Sequence, residues 1–229
     1  ANKIVKPQLN VTDSDGIYKN ISDKGRLSIE KVDVDDNAKK LEGAEFNLYG
    51  PFGKSESPYN ESNLVMEGES AYVMKTEQGT GKAVSKPLAP GWYYVKEIKA
   101  PDNYVAADEG QWVQVNQNAT KESTFENEKK IAVYIKKVGT IGKVQIDGPS
   151  LAGAEFEIYD AEEGGNVVGH WVTTTDATGK EASNPVYLNA GATYWYEETK
   201  APEGYTPIIG RVSFTVEATS VGNVCHVTC

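Results

Sequence analysis

The sequence predicts an all-β protein in which one sandwich or barrel domain is written twice, and three observations carry that prediction. Apolar and polar residues alternate at period two in Leu27-Ser28-Ile29-Glu30-Lys31-Val32, Phe46-Asn47-Leu48-Tyr49, Trp112-Val113-Gln114-Val115 and Val212-Ser213-Phe214-Thr215-Val216, as half-buried antiparallel strands do. Helical periodicity is weak throughout, while 22 Gly and 10 Pro punctuate the chain and Tyr (13) outnumbers Phe (5). Finally, the sequence repeats itself. Leu41-Glu42-Gly43-Ala44-Glu45-Phe46-Asn47-Leu48-Tyr49 returns as Leu151-Ala152-Gly153-Ala154-Glu155-Phe156-Glu157-Ile158-Tyr159, Thr80-Gly81-Lys82 as Thr178-Gly179-Lys180, and Leu88 with Gly91 as Leu188 with Gly191. Glu97-Ile98-Lys99-Ala100-Pro101-Asp102-Asn103-Tyr104 returns as Glu198-Thr199-Lys200-Ala201-Pro202-Glu203-Gly204-Tyr205, so four landmarks keep their order at spacings of roughly 100 to 110 residues.

Taken in chain order, residues 1–24 form a polar lead segment rich in Asn, Asp and Lys. Its start, Asn2-Lys3-Ile4-Val5-Lys6-Pro7, reads as the tail of an earlier domain followed by a linker. It lacks the charged start and apolar stretch of a signal peptide, so the chain is expected to be mature or excised from a longer protein. The first copy spans residues 25–128 and the second 129–229, with Asn127-Glu128-Lys129-Lys130 as a short polar joint. A joint of that length predicts domains set end to end like beads on a stiff rod.

Charge and motif content exclude several functions. With 33 Asp+Glu against 23 Lys+Arg the net charge is −10, which argues against a nucleic-acid partner. No stretch approaches the roughly 18 apolar residues of a spanning helix, so no membrane insertion is expected in this fragment. Two histidines, His170 and His226, leave little room for imidazole chemistry. Nucleophile elbow, phosphate loop, zinc-protease and dinucleotide motifs are all missing, and neither a cofactor nor a metal site is expected.

Tyr194-x-Tyr196-x-Glu198-Thr199-x-Ala201-Pro202-x-Gly204-Tyr205 resembles the E-box of Gram-positive pilins, with a looser version at Tyr93-x-Val95-x-Glu97-Ile98-x-Ala100-Pro101-x-x-Tyr104. Together with the repeated Leu-x-Gly-Ala-x-Phe-x-Leu/Ile-Tyr segment, these residues make both copies similar to the B-type repeat domains of collagen adhesins (CnaB type). Such domains also build sortase-assembled pilins of the SpaA kind. The resemblance covers about nine tenths of the chain. It implies two tandem immunoglobulin-like β-sandwich domains, and it implies that a domain can close on itself through an isopeptide bond. In that family the bond joins a Lys on the first strand to an Asn on the last, assisted by an acid.

Strand phase supports placing those roles in the first copy. Lys31 shares a face with Leu27 and Ile29, Glu97 with Tyr93 and Val95, and Asn127 with Phe125, so all three polar groups are expected to point inward. Burial disfavours the charged forms of amine and acid alike, which favours proton transfer between them. A neutral Lys31 amine can then attack the Asn127 side-chain carbonyl, with Glu97 hydrogen-bonding and polarising the carbonyl oxygen and shuttling protons as ammonia leaves. Proximity from folding, worth about 10⁵ M or more in effective concentration, makes the amide reactive. This is self-modification in a single turnover, and no enzymatic action on other substrates is expected.

The second copy departs from this pattern. Lys137 aligns with Lys31 and Glu198 with Glu97, but the position as far beyond Glu198 as Asn127 is beyond Glu97 is Thr228. Three readings stay open: Asn223 serves after a register shift, the acceptor lies past Cys229 in a parent protein, or this domain has no bond. Cys225 and Cys229 are candidates for a terminal disulfide. On a continuous strand their Cα atoms would stand about 13 Å apart, beyond the roughly 4.4 to 6.8 Å a disulfide spans, so pairing requires a turn; two unpaired thiols are the alternative. Asp33-x-Asp35-x-Asn37 opens like a calcium loop but lacks the later Gly and acidic positions, so it reads as a polar hairpin turn.

The expected function is therefore structural: a pilin subunit or adhesin stalk, extracellular and anchored to the cell wall. Its implied partners are other pilin subunits or, through sortase, peptidoglycan. The alternative is an adhesin module that grips a host protein or glycan through surface loops. The segment Gly50 to Tyr72 is the place for this, because its counterpart in the second copy is nine residues shorter.

Overall fold

A computed structural model describes residues 23–56, 58–138, 140–141, 144–145, 151–175, 181–217 and 224–228. The chain divides into two compact units between Glu128 and Lys129.

The first unit contains β1 (Arg26–Asp33), β2 (Glu45–Phe52), the two-residue strands β3 (Met66–Glu67) and β4 (Ser70–Ala71), β5 (Val73–Lys75), β6 (Lys82–Val84), β7 (Gly91–Lys99), β8 (Gln111–Val115) and β9 (Thr120–Asn127). They form a three-stranded sheet of order β6-β1-β9, a four-stranded sheet of order β5-β2-β7-β8, and the small β3-β4 hairpin. The inward phases of both larger sheets meet in one core, with Leu27, Ile29, Phe46, Leu48, Val95 and Phe125 among its buried members. Along β2, β8 and β9 buried residues alternate with more exposed ones, which is why period two is legible in the sequence.

The second unit contains β10 (Ile131–Lys136), β11 (Thr140–Ile141), β12 (Val144–Gln145), β13 (Glu155–Tyr159), β14 (Val167–Thr175), β15 (Glu181–Ser183), β16 (Val186–Leu188), β17 (Thr193–Lys200), β18 (Val212–Thr215) and β19 (Val224–Thr228). Its main sheets have the orders β16-β10-β19 and β15-β14-β13-β17-β18, around a core that includes Val133, Ile135, Phe156, Ile158, Trp171 and Tyr196. Both units are thus all-β sandwiches, and the strands at period two are where the sequence predicts them.

One pairing brings the two ends of each unit together. First and last strands lie side by side and parallel, with β1 against β9 from Arg26↔Thr120 to Asp33↔Asn127 and β10 against β19 from Ala132↔Val224 to Lys136↔Thr228. Parallel neighbours cannot be joined by a tight turn, so the intervening chain crosses to the other sheet and returns. The landmark Gly81 sits beside this pair. Its φ of +61° suits glycine, and an added Cβ would stand 2.8 Å from the Lys31 carbonyl oxygen and 2.9 Å from the Leu41 nitrogen. Its carbonyl accepts from the Lys31 N–H at 2.8 Å, which holds β1 at the level of that lysine.

Candidate functional site

Leu27, Ile29, Lys31 and Asp33 share one face of β1, and all four are 0% exposed. A lysine and an aspartate so placed need partners, since isolated buried charge is costly. The Lys31 ammonium lies 3.2 Å from Glu97 Oε1 and donates to the Glu126 carbonyl at 3.0 Å, with the Phe46 ring centroid 5.8 Å away. Glu97 comes from β7 and Asn127 ends β9, both buried. Glu97 Oε2 accepts from Asn127 Nδ2 at 2.9 Å and from the Ala107 N–H at 2.9 Å. The three side chains that strand phase turned inward therefore meet through Glu97, with one carboxyl oxygen on the amine and the other on the amide.

The contact differs from expectation in one respect. Glu97 meets the nitrogen of the Asn127 amide, not its oxygen, because a carboxylate can only accept and must face a donor. The amide's second N–H goes to the Val105 carbonyl. Asn127 Oδ1 is left buried with no hydrogen-bond partner among the described residues. An orphaned buried carbonyl oxygen is unfavourable and requires an explanation.

Burial pushes the Lys31 amine below its ordinary 10.5, while the charge and hydrogen bond of Glu97, and more weakly Glu126, pull it back up. The unfolded chain then binds more protons than the folded one between the lowered value and 10.5, so stability rises with pH across that window. In an Asn127→Ala variant, which keeps Lys31 as a titrating amine, urea midpoints between pH 7 and 10 should rise relative to Lys31→Met. A flat difference would show that the amine is not destabilised by burial.

The second unit repeats the donor half of the site in detail. Lys137 Nζ is 2.8 Å from Glu198 Oε1, with both side chains buried, and 5.6 Å from the Phe156 ring centroid. Glu198 Oε2 accepts from the Ile208 N–H at 2.8 Å, as Glu97 does from Ala107. Among the described residues the acceptor half is not repeated. Thr228 pairs with Lys136, the place that Thr124 holds opposite Glu30 in the first unit. Asn127 itself pairs with Asp33, three positions further along β1 than Glu30, and β19 is described only as far as Thr228. Asn223 and Cys229 lie outside the described residues. Val224, next to Asn223, pairs with Ala132 at the far end of β10 from Lys137, and Cys225 stands on an extended strand opposite Val133.

One residue beside the site escaped the sequence reading. Asp33, assigned to a polar hairpin turn, is fully buried and accepts the Tyr104 hydroxyl at 2.8 Å. Its signal was available, since it continues the inward phase of Leu27, Ile29 and Lys31. Among the described residues, no group of three His, Cys, Asp or Glu could hold a metal ion, and no helix is long and apolar enough to cross a membrane.

A family model for the SpaA prealbumin-like fold domain matches residues 25–129 and 137–227. None of the curated proteins matches the chain in sequence. Among solved structures, a streptococcal ancillary pilin is 24% identical with a TM-score of 0.53, over 93% of this chain and 64% of that one. The Bacillus anthracis TIE protein is 28% identical with a TM-score of 0.42, over 93% of this chain and 34% of that one. The shaft pilin SpaA of Lactobacillus rhamnosus GG is 16% identical with a TM-score of 0.46, over 90% and 96%. The chain thus spans less than two thirds of the streptococcal and anthrax proteins.

Proposed function

The chain belongs to the SpaA prealbumin-like fold domain family, and we propose that it is a load-bearing module of a Gram-positive pilus or adhesin stalk, with an isopeptide bond between Lys31 and Asn127 tying its first domain. The observation that carries the bond is the buried bridge in which Glu97 touches the Lys31 amine with Oε1 and the Asn127 amide nitrogen with Oε2.

That bridge supplies a complete proton path. The Lys31 proton passes to Glu97, and the neutral amine attacks Asn127 Cγ, forming the new C–N bond. Glu97 returns a proton to Nδ2 and takes the second proton from the attacking nitrogen, the carbonyl re-forms on Oδ1, and the C–Nδ2 bond breaks to release ammonia. Nothing is oxidised or reduced, and the acid is regenerated. The lowered lysine belongs to a state primed for this step and is relieved by it, since the product is a neutral amide.

Function follows from the parallel pairing. Force applied between the start of β1 and the end of β9 pulls those neighbours in opposite directions along their length. A bond from Lys31 to Asn127 passes that load straight from one strand to the other and relieves the chain between them. Such a module suits a shaft outside the cell, with other pilin subunits or peptidoglycan as covalent partners through sortase and no enzymatic substrate of its own.

Peptide mapping should find the mass of the chain lower by a single ammonia and a branched peptide joining Lys31 to Asn127. Lys137→Ala should leave that count unchanged. An intact mass equal to the full sum of the sequence would end the proposal.

A second reading, host binding, is favoured by one observation. The segment between β2 and β5 folds against the outer face of the β5-β2-β7-β8 sheet, where Tyr59 stacks on Tyr94 at 4.1 Å and Tyr94 meets Trp112 edge-on at 5.2 Å. Beside it lies an open cavity of about 570 Å³ lined by Phe52, Lys54, Glu56, Tyr59, Asn60 and Asn63 among others. Aromatic faces flanked by amides suit a sugar ring or an extended peptide. Deleting residues 54–64 should abolish adhesion to immobilised matrix glycoproteins on this reading and leave it unchanged on the shaft reading.

A further inference from the structure

We propose that Asp33 and Tyr104 form a positioning clamp which presents the Asn127 amide to Lys31 and Glu97; the proposal rests on the Lys31–Asn127 reading and adds to it two residues that do not touch the reacting atoms.

The clamp is built at the level of the acceptor. Asp33 is the register partner of Asn127 across β1 and β9, and the Val34 N–H donates to the Asn127 carbonyl at 3.1 Å. The Tyr104 hydroxyl donates to Asp33 Oδ2 at 2.8 Å, while the Asp35 N–H donates to Oδ1 at 3.0 Å. Lys39 Nζ lies 3.9 Å from Oδ2 and 5.5 Å from the centre of the Tyr104 ring. Burial, then the hydrogen bond and charge of Asp33, push the ionisation of Tyr104 up, so the phenol stays a neutral donor.

From Tyr104 onward the backbone turns directly into the site. The Val105 N–H donates to the Glu128 carbonyl at 2.9 Å, the Val105 carbonyl accepts one N–H of the Asn127 amide, and the Ala107 N–H donates to Glu97 Oε2 at 2.9 Å. One short segment therefore orients both the amide and the acid. Its tie to β1, the strand that carries the nucleophile, is the Tyr104–Asp33 hydrogen bond. Without that tie the Val105 carbonyl can drift, and the amide can rotate about its last torsion. Reactions of this kind are sensitive to such displacement, because their rate comes from held geometry.

The duplicated copy differs at the position of Asp33. It keeps the tyrosine as Tyr205, the Lys137–Glu198 pair and the backbone donor to Glu198, but Gly139 stands in the sequence where Asp33 would be.

The test follows ammonia loss by intact mass after cell-free synthesis of the full chain, beside circular dichroism to confirm folding. Tyr104→Phe and Asp33→Asn should slow bond formation about tenfold to a hundredfold while the fold is retained. Tyr93→Phe removes another buried hydroxyl of the same domain, one that donates to the Ala89 carbonyl at 2.9 Å, and should react at the wild-type rate. Amide exchange at Val105 and Ala107 should quicken in Tyr104→Phe and Asp33→Asn and stay unchanged in Tyr93→Phe. Should Tyr104→Phe not fold, Asp33→Asn decides by the same rates. A wild-type rate in the clamp variants, or equal slowing in Tyr93→Phe, overturns the clamp and leaves the bond standing. A wild-type chain that never loses ammonia overturns the bond, and the clamp with it.

Discussion

Replacing Lys31 with methionine is expected to leave the chain at the full sum of its sequence mass and to lower the unfolding free energy of the first domain by on the order of 4 to 5 kcal/mol. The figure comes from loop closure. A covalent tie between positions 31 and 127 constrains about a hundred residues of the unfolded chain, and the entropy removed depends on loop length rather than on the chemistry of the tie. Methionine fills the space of the lysine stem, so little of the loss should come from packing. It does strand Glu97 as a buried acid without its amine, which would add to the loss. The double variant Lys31→Met with Glu97→Gln removes both charges and isolates the covalent contribution. Urea midpoints of wild type, single and double variants measure it. If the double variant unfolds with the wild type, no tie was present to lose.

Trp171→Ala should be the most damaging truncation in the second domain, at about 3 to 5 kcal/mol for the lost volume. Trp171 is fully buried, its indole N–H donates to the Val133 carbonyl at 3.0 Å, and its ring meets Phe214 at 5.6 Å and Tyr196 at 6.4 Å. Removing it opens a cavity and leaves a central-strand carbonyl without its donor, a further cost of about 1 kcal/mol. Calorimetry should show the transition of the second domain moved down, with that of the first unchanged, because the two cores are built from separate residues. Equal shifts in both transitions would show that the domains unfold as one.

The first domain fills the same place differently. Trp171 pairs with Phe156 as Met74 pairs with Phe46, so a tryptophan in one unit corresponds to a methionine in the other. The unit for which a covalent tie is proposed carries the smaller, more adaptable side chain. The other carries the larger one.

Much of this was written along the chain. Period-two alternation placed Leu27, Ile29 and Lys31 on one face of a strand, because side chains on a strand can point only two ways and apolar neighbours declare which is inward. The same rule put Glu97 beside Tyr93 and Val95, and the repeat named the corresponding Lys137 and Glu198. These statements concern single strands, for which local pattern suffices. What one strand cannot declare is its neighbour and the register between them. That β1 lies parallel to β9 with Asp33 beside Asn127, that the matching place in the second unit falls beyond Thr228, and that Glu97 faces an amide nitrogen all depend on contacts between residues far apart in sequence. Asp33 shows the boundary between the two kinds of knowledge. Its phase marked it as inward, but its neighbours Asp35 and Asn37 are polar, and the turn they suggested outweighed the phase. Only the return of Tyr104 from the other sheet, with a hydroxyl to satisfy the carboxylate, makes a buried aspartate there physically acceptable.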